Sequence, residues 1–264
     1  MKVQDRKTKL EVALLQADLI WESPQANREH FDQRISELAP GTDLIILPEM
    51  FTTGFTMQPQ NGAEAMDGPT IGWMKNWAKQ TGAALLGSLV ISSNNTYYNR
   101  FVFVTPTGRI ETYDKRHTFT LAGEHLAYTA GKEAGIVTYK GWRICLRICY
   151  DLRFPVWSRN QSAYDLLIFV ANWPQPRIRA WDTLLQARAI ENMAFCIGVN
   201  RTGSDPNGHQ YPGHSAVYNG LGDSISSPVK GDAQTFRAGL DLLELQALRK
   251  QLPFLEDRDE FDLH

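Results

Sequence analysis

Short apolar runs rich in β-forming residues alternate with amphipathic segments along the whole chain, a rhythm that predicts an α/β protein with a large sheet component. The first strand falls at residues 10–16. Ser23-Pro24 then offers an N-cap and a proline for the first helical position, and Phe31, Ile35 and Leu38 recur at helical spacing through Ala39, where Pro40-Gly41 ends the helix. Residues 43–47 read as a buried strand that Pro48 stops, which puts Glu49 on the loop at the strand's carboxyl end. A helix is expected over 70–81, closed by Gly82. Strands over 84–91, 97–105 and 110–113 follow, joined by Asn94-Asn95 and Thr107-Gly108, and a hairpin at 136–139 and 142–148 turns on Lys140-Gly141. A short helix over 154–161, a strand over 165–171, a helix over 178–192 and a strand over 194–200 come next. Pro206-Asn207-Gly208 turns the chain into its last strands, and a helix over 240–251 completes the pattern. Strands in this mixture of hairpins and crossovers most simply form two packed mixed sheets covered by helices.

No linker, long charge block or internal repeat interrupts the 264 residues, so one domain is expected over 1–264. The chain is 43% hydrophobic and 21% charged, which excludes disordered, collagen-like and coiled-coil classes. Lys and Arg number 27 against 29 Asp and Glu, a net charge of -2 that gives no electrostatic reason to expect nucleic acid or an anionic membrane as partner. Residues 1–9 are charged, but the apolar stretch behind them is broken by Glu11, Gln16 and Asp18 with no small-residue cleavage site, so no signal peptide is expected. Apolar runs such as 166–171 fall far short of the roughly 20 residues that span a bilayer. Cys145, Cys149 and Cys196 are too few for a disulfide framework, and a cytoplasmic protein is the expectation.

Several chemistries lack their motifs. There is no G-x-S-x-G elbow, no H-E-x-x-H, no paired C-x-x-C and no phosphate-binding G-x-x-x-x-G-K-S/T, and the six histidines show no metal-ligand spacing. In Ile148-Cys149-Tyr150-Asp151-Leu152-Arg153-Phe154-Pro155, by contrast, an apolar strand ends in a cysteine and a helix start follows at once. Such a turn aims the sulfur outward beside backbone N–H donors. Cys145 and Cys196, inside apolar strands, read as core. A nucleophilic thiol needs a proton acceptor and its oxyanion needs donors or positive charge. Leu47-Pro48-Glu49 places a carboxylate just past a buried strand, and Tyr113-Asp114-Lys115-Arg116-His117 places an ammonium just past another. Singly, each is as readily a surface residue or half of an ion pair.

Together, these blocks resemble the signatures of the nitrilase, or carbon-nitrogen hydrolase, superfamily. Glu49, Lys115 and Cys149 occur in the order of its Glu-Lys-Cys triad, and the likeness extends through Ala122-Gly123-Glu124-His125, Ala171-Asn172-Trp173-Pro174 and Leu252-Pro253-Phe254-Leu255-Glu256-Asp257. Within the superfamily the chain is most similar to the omega-amidase branch. The resemblance implies a four-layer α-β-β-α sandwich, a homodimer paired through its helical faces, a small-molecule amide as substrate, and no metal or organic cofactor. It also implies Cys149 as nucleophile, Glu49 as base, and Lys115 with the Tyr150 backbone N–H as oxyanion donors. Glu124 would support Lys115, and Phe119, Tyr150 and Trp173 would wall the pocket. The branch acts on 2-oxoglutaramate and 2-oxosuccinamate, whose carboxylate calls for an arginine, and Arg153, Arg116 and Arg177 lie near the signature segments. The same triad serves N-carbamoyl amino acids, aliphatic amides, deaminated glutathione and nitriles. A non-catalytic binding protein on this fold is the reading from another class, and a Cys-His peptidase would need His117 or His125 beside the sulfur.

Overall fold

A computed structural model describes residues 7–263, with the backbone alone described over 227–230; residues 1–6 of the charged N-terminal stretch and His264 lie outside the described residues. In chain order the strands are β1 (Lys9–Gln16), β2 (Leu44–Ile46), β3 (Ala84–Ser93), β4 (Thr96–Val104), β5 (Ile110–Asp114), β6 (Ile136–Tyr139), β7 (Trp142–Ile148), β8 (Leu166–Ala171), β9 (Phe195–Asn200), β10 (Thr202–Ser204), β11 (Gln210–Tyr218), β12 (Ser224–Lys230) and β13 (Gln234–Asp241). The helices are α1 (Pro24–Ser36), α2 (Pro69–Thr81), α3 (Glu124–Ala127), α4 (Pro155–Ser158), α5 (Ile178–Asn192) and α6 (Leu242–Gln251). None is long and apolar enough to cross a membrane.

The strands form two mixed sheets. One has the order β13-β1-β2-β3-β4-β5; the other runs β10-β11-β9-β8-β7-β6, with β12 paired to β11. Each contains three parallel strands, β1-β2-β3 and β7-β8-β9, extended by antiparallel neighbours. Parallel strands need crossovers: α1 and α2 connect those of the first sheet, α4 and α5 those of the second.

Strand alternation sorts the core. Leu10, Val12 and Leu14 of β1, Leu44 and Ile46 of β2, and Phe101 and Phe103 of β4 meet the apolar side chains of β7, β8 and β9 between the sheets. Their neighbours Ala13, Leu15, Ile45, Val102 and Val104 face the other way, onto Phe31 and Ile35 of α1 and Ile71, Met74 and Ala78 of α2. Trp181, Leu185 and Ala189 of α5 cover the outer face of the second sheet. The helix approaches so closely that a Cβ on Gly198 of β9 would fall 2.3 Å from Leu185 and 2.7 Å from Trp181. The layers are therefore helix, sheet, sheet, helix, as the resemblance implies.

Local differences from expectation have local causes. Helix α1 stops at Ser36, three residues before Ala39, because the chain must leave the helical region ahead of Pro40. Both residues of the Asn94-Asn95 turn have positive φ, as a two-residue hairpin demands. At the end of the chain, residues 240–241 continue β13, and α6 begins only at Leu242 because Asp241 accepts from the N–H groups of Leu243 and Glu244 as its N-cap. The expected helix over 154–161 is only the short α4, Pro155–Ser158, which follows a 3₁₀ segment at Cys149–Arg153.

Candidate active site

Three strand ends of the two sheets bring the expected groups together. Beyond β2, Glu49 is wholly buried: its Oε1 accepts from Lys115 Nζ at 2.9 Å and from Asn99 Nδ2 at 2.8 Å, and its Oε2 accepts from the Asn172 backbone N–H at 2.8 Å. Lys115, just past β5, also donates to Glu124 Oε1 at 3.0 Å and Oε2 at 2.9 Å, and lies 5.1 Å from the centre of the Phe55 ring. Glu124 opens α3 with no exposure and is held by the Phe119 backbone N–H at 2.5 Å. Cys149 follows β7 and lines the same cavity as Lys115, with Glu49, Lys115 and Glu124 near enough to act on its thiol electrostatically.

These neighbours set the charge states. Burial, reinforced by the negative charge of Glu49, pushes the Cys149 thiol well above its ordinary value, with Lys115 pulling the other way. Burial works against the charge on Lys115, but Glu124 and then Glu49 overcome it and raise its pKa. Burial also raises Glu124, against the pull of Lys115. The cluster thus rests with a neutral thiol beside a firmly charged ammonium, an arrangement in which a neighbouring carboxylate could accept the thiol's proton.

Asp151 holds the cysteine turn against the lysine segment. Its Oδ2 accepts from Ile148 N at 3.0 Å and Tyr113 OH at 2.7 Å, and its Oδ1 from His117 N at 3.0 Å with His117 Nδ1 at 2.8 Å. His117 also stacks on Phe154 at 3.6 Å, so its imidazole is committed away from the sulfur, and neither His117 nor the exposed His125 lines the cavity beside Cys149. Tyr150 occupies the first turn after the strand, where backbone N–H groups have no intrahelical acceptor.

A cavity of about 440 Å³ opens onto Cys149 and Lys115. Phe119, Tyr150 and Trp173 line it as expected, with Phe119 and Tyr150 edge to face at 4.9 Å. Arg153 and Arg177 line it too, their guanidinium groups over the rings of Trp173 (5.0 Å) and Phe119 (5.2 Å). Arg116 does not. It borders a separate cavity of about 160 Å³, its guanidinium over Trp157, where the chain bends just past β5. Two residues with no expected role sit at the centre. Asn172 holds the carboxyl group of Glu49 through its N–H and the Glu49 carbonyl through Nδ2 at 2.7 Å; it was visible as part of Ala171-Asn172-Trp173-Pro174, without a task. Asn99 bridges Glu49 and Glu124, and its one sequence signal is an amide inside an otherwise good β-forming run. Cys145 and Cys196 are core residues of β7 and β9, with burial pushing Cys145 up to about 11.

Residues 11–250 match the sequence profile of the family described as carbon-nitrogen hydrolase. The chain is 47% identical over 252 residues to the omega-amidase YafV of Yersinia enterocolitica, covering 96% of this chain and 98% of that one. It is 33% identical over 251 residues to the 2-oxoglutaramate amidase of Bacillus subtilis, covering 93% and 96%. A crystal structure of a CN-hydrolase superfamily protein from Xanthomonas campestris, carrying an arsenic adduct in its active site, superposes with a TM-score of 0.95 at 41% identity over 98% of this chain and 100% of that chain.

Proposed function

The chain belongs to the carbon-nitrogen hydrolase family, and from that premise we propose that it is an amidase releasing ammonia from the terminal amide of small 2-oxo acid amides, 2-oxoglutaramate and 2-oxosuccinamate, through a Cys149 thioester. The observation that carries this reading is the buried ion pair of Glu49 with Lys115, whose ammonium lines a cavity sized for a small molecule together with the Cys149 thiol.

Glu49 takes the thiol proton as the sulfur attacks the amide carbon. The oxyanion is held by Lys115, which Glu124 and Glu49 keep charged, and by the Tyr150 backbone N–H. As the C–N bond breaks, protonated Glu49 returns the proton to nitrogen and ammonia leaves. Glu49 next deprotonates the water that attacks the thioester, and that proton goes back to sulfur as the acid departs. Glu49, Lys115 and Glu124 are already in contact and Cys149 shares the cavity with Lys115, which is why Glu49, Lys115 and Cys149 are assigned the chemistry and Glu124 a supporting part.

The substrate's own carboxylate needs a partner in a largely apolar cavity. Arg153 and Arg177 fit that part: both line the cavity, both rest on aromatic rings, and neither has a carboxylate partner among the described residues. A homodimer through α4 and α5 is also proposed, since Val156 and Ile190 on these helices are about half exposed (51% and 48%). Three free cysteines suit a reducing cytoplasm.

Ammonia release from a panel of 2-oxoglutaramate, 2-oxosuccinamate, a neutral aliphatic amide and an N-carbamoyl amino acid tests the reading. The oxo-acid amides are the expected best substrates, and Cys149→Ala should lower kcat by about a thousandfold or more. Arg153→Ala or Arg177→Ala should raise KM for the oxo-acid amides by roughly tenfold while sparing the neutral amide. Turnover of the carbamoyl compound without turnover of 2-oxoglutaramate would overturn the substrate assignment.

A further inference from the structure

A closed chain of hydrogen bonds runs from the backbone of the Glu49 turn to the two buried carboxylates. Met50 N donates to Ser88 Oγ at 2.8 Å, Ser88 Oγ lies 2.8 Å from Asn99 Oδ1, and Asn99 Nδ2 lies 2.8 Å from Glu49 Oε1 and 3.2 Å from Glu124 Oε1. A serine hydroxyl has a single proton to give. Its oxygen already accepts from Met50, so that proton goes to Asn99 Oδ1, and the amide's NH₂ must then face the carboxylates. Its two hydrogens meet two acceptors. Ser88 and Asn99 are buried, at 0% and 1% exposure, so water does not compete for these bonds. The Asn99 carbonyl in turn accepts the Lys115 backbone N–H at 3.0 Å. One residue of β4 therefore engages Glu49 and Glu124 with its side chain and the lysine segment with its main chain.

The cluster needs such a device. Two carboxylates beside one ammonium in a dry site carry excess negative charge, which is relieved when one carboxylate takes up a proton. A proton resting on Glu49 would leave no acceptor for the proton of Cys149. A neutral N–H donor favours the ionised form of the carboxylate it reaches, and the shorter of the two Asn99 bonds goes to Glu49.

We propose that Asn99, oriented by Ser88, is a positioning residue that holds the Glu49 carboxylate in place as the acceptor for the Cys149 proton. This rests on the roles proposed above for Glu49 and Cys149. The test reads those roles without the substrate: the rate of Cys149 alkylation by iodoacetamide is followed between about pH 4 and 8, and the position of the acid limb of this profile is read. Asn99→Ala removes a neutral N–H donor that favours a charged acceptor and should move this acid limb upward by about one pH unit. The same variant should lower kcat on 2-oxoglutaramate by about 10- to 100-fold with KM held within about threefold. Ser88→Ala, which keeps the amide and the charge, should move the limb in the same direction by less, and it serves alone where Asn99→Ala fails to fold. A role confined to packing would lower the yield or the melting temperature and leave the limb in place. Limbs of the folded variants that overlay the wild-type limb overturn the proposal, whatever the amidase assay gives. If the limb moves while the wild-type protein leaves 2-oxoglutaramate untouched, the substrate assignment fails and the role of Asn99 stands.

Discussion

Cys149 and Met50 both hold left-handed backbone angles, φ +44° in each, on the two turns that deliver the thiol and the carboxylate. A side chain at such an angle costs about 1–2 kcal/mol, and the turns are held there by what surrounds them: Asp151 ties down the first, and Ser88 accepts the Met50 N–H of the second. The gain is direction, since an extended residue after β7 would point the sulfur along the sheet instead of into the cavity. Stability should therefore rise where the side chain is removed altogether. Cys149→Gly is expected to be more stable than Cys149→Ala by about 1 kcal/mol in urea unfolding, because glycine occupies this region without strain. Equal stability of the two would mean the turn is unstrained.

At the scale of elements, Asp43 shows how β2 is set in place before it can present Glu49. Asp43 N donates to Glu11 O at 2.7 Å, its Oδ2 accepts from Glu11 N at 2.9 Å, and the carboxylate pairs with Lys7 at 2.7 Å and Lys140 at 2.6 Å, joining β1, β2 and the β6–β7 turn. Burial alone would raise the Asp43 pKa, but the hydrogen bonds from Lys140, Lys7 and Glu11 outweigh it and lower the group below the usual carboxylate range. A carboxylate depressed on folding contributes stability that is complete above its unfolded value of about 3.9 and fades as pH falls through the folded value. Asp43→Asn should cost about 1–3 kcal/mol at neutral pH. That difference should shrink as urea midpoints are taken from pH 7 toward about pH 4 and below. A difference constant with pH would assign the loss to packing and not to charge.

Across the whole molecule, the two sheets pack so that the carboxyl ends of β2, β7 and β8 and the end of β5 meet at one place. Glu49, Cys149, Asn172 and Lys115 come from four strands of two sheets, and the inter-sheet core of β1, β2, β4, β7, β8 and β9 side chains fixes their separations. The proposed dimer belongs to this scale. Sedimentation of the wild-type chain should give a dimer, and Val156→Glu on α4 should shift it toward monomer by burying an unpaired charge. A wild-type monomer at high concentration would remove the dimer from the reading.

Much of this was legible in residue order because it depends on neighbours along the chain. The alternation of β2 and β4 side chains, Pro48 ending a strand ahead of Glu49, the asparagine pair of the β3–β4 turn and the proline that opens α1 act over a few residues, so the strand rhythm, the two mixed sheets and the three chemical segments could be read directly. What lies between segments was not legible. No local pattern says that Arg116 turns away from the cavity that Arg153 and Arg177 line, that Asp151 reaches back to Tyr113 and His117, or that an amide on β4 faces two carboxylates, one on a loop 50 residues before it and one opening a helix 25 after it. Those facts follow from how sheets stack and where distant segments converge, and burial gives them their force: among groups as buried as Glu49, Asn99 and Glu124, single hydrogen bonds and excess charges count for far more than they do in water.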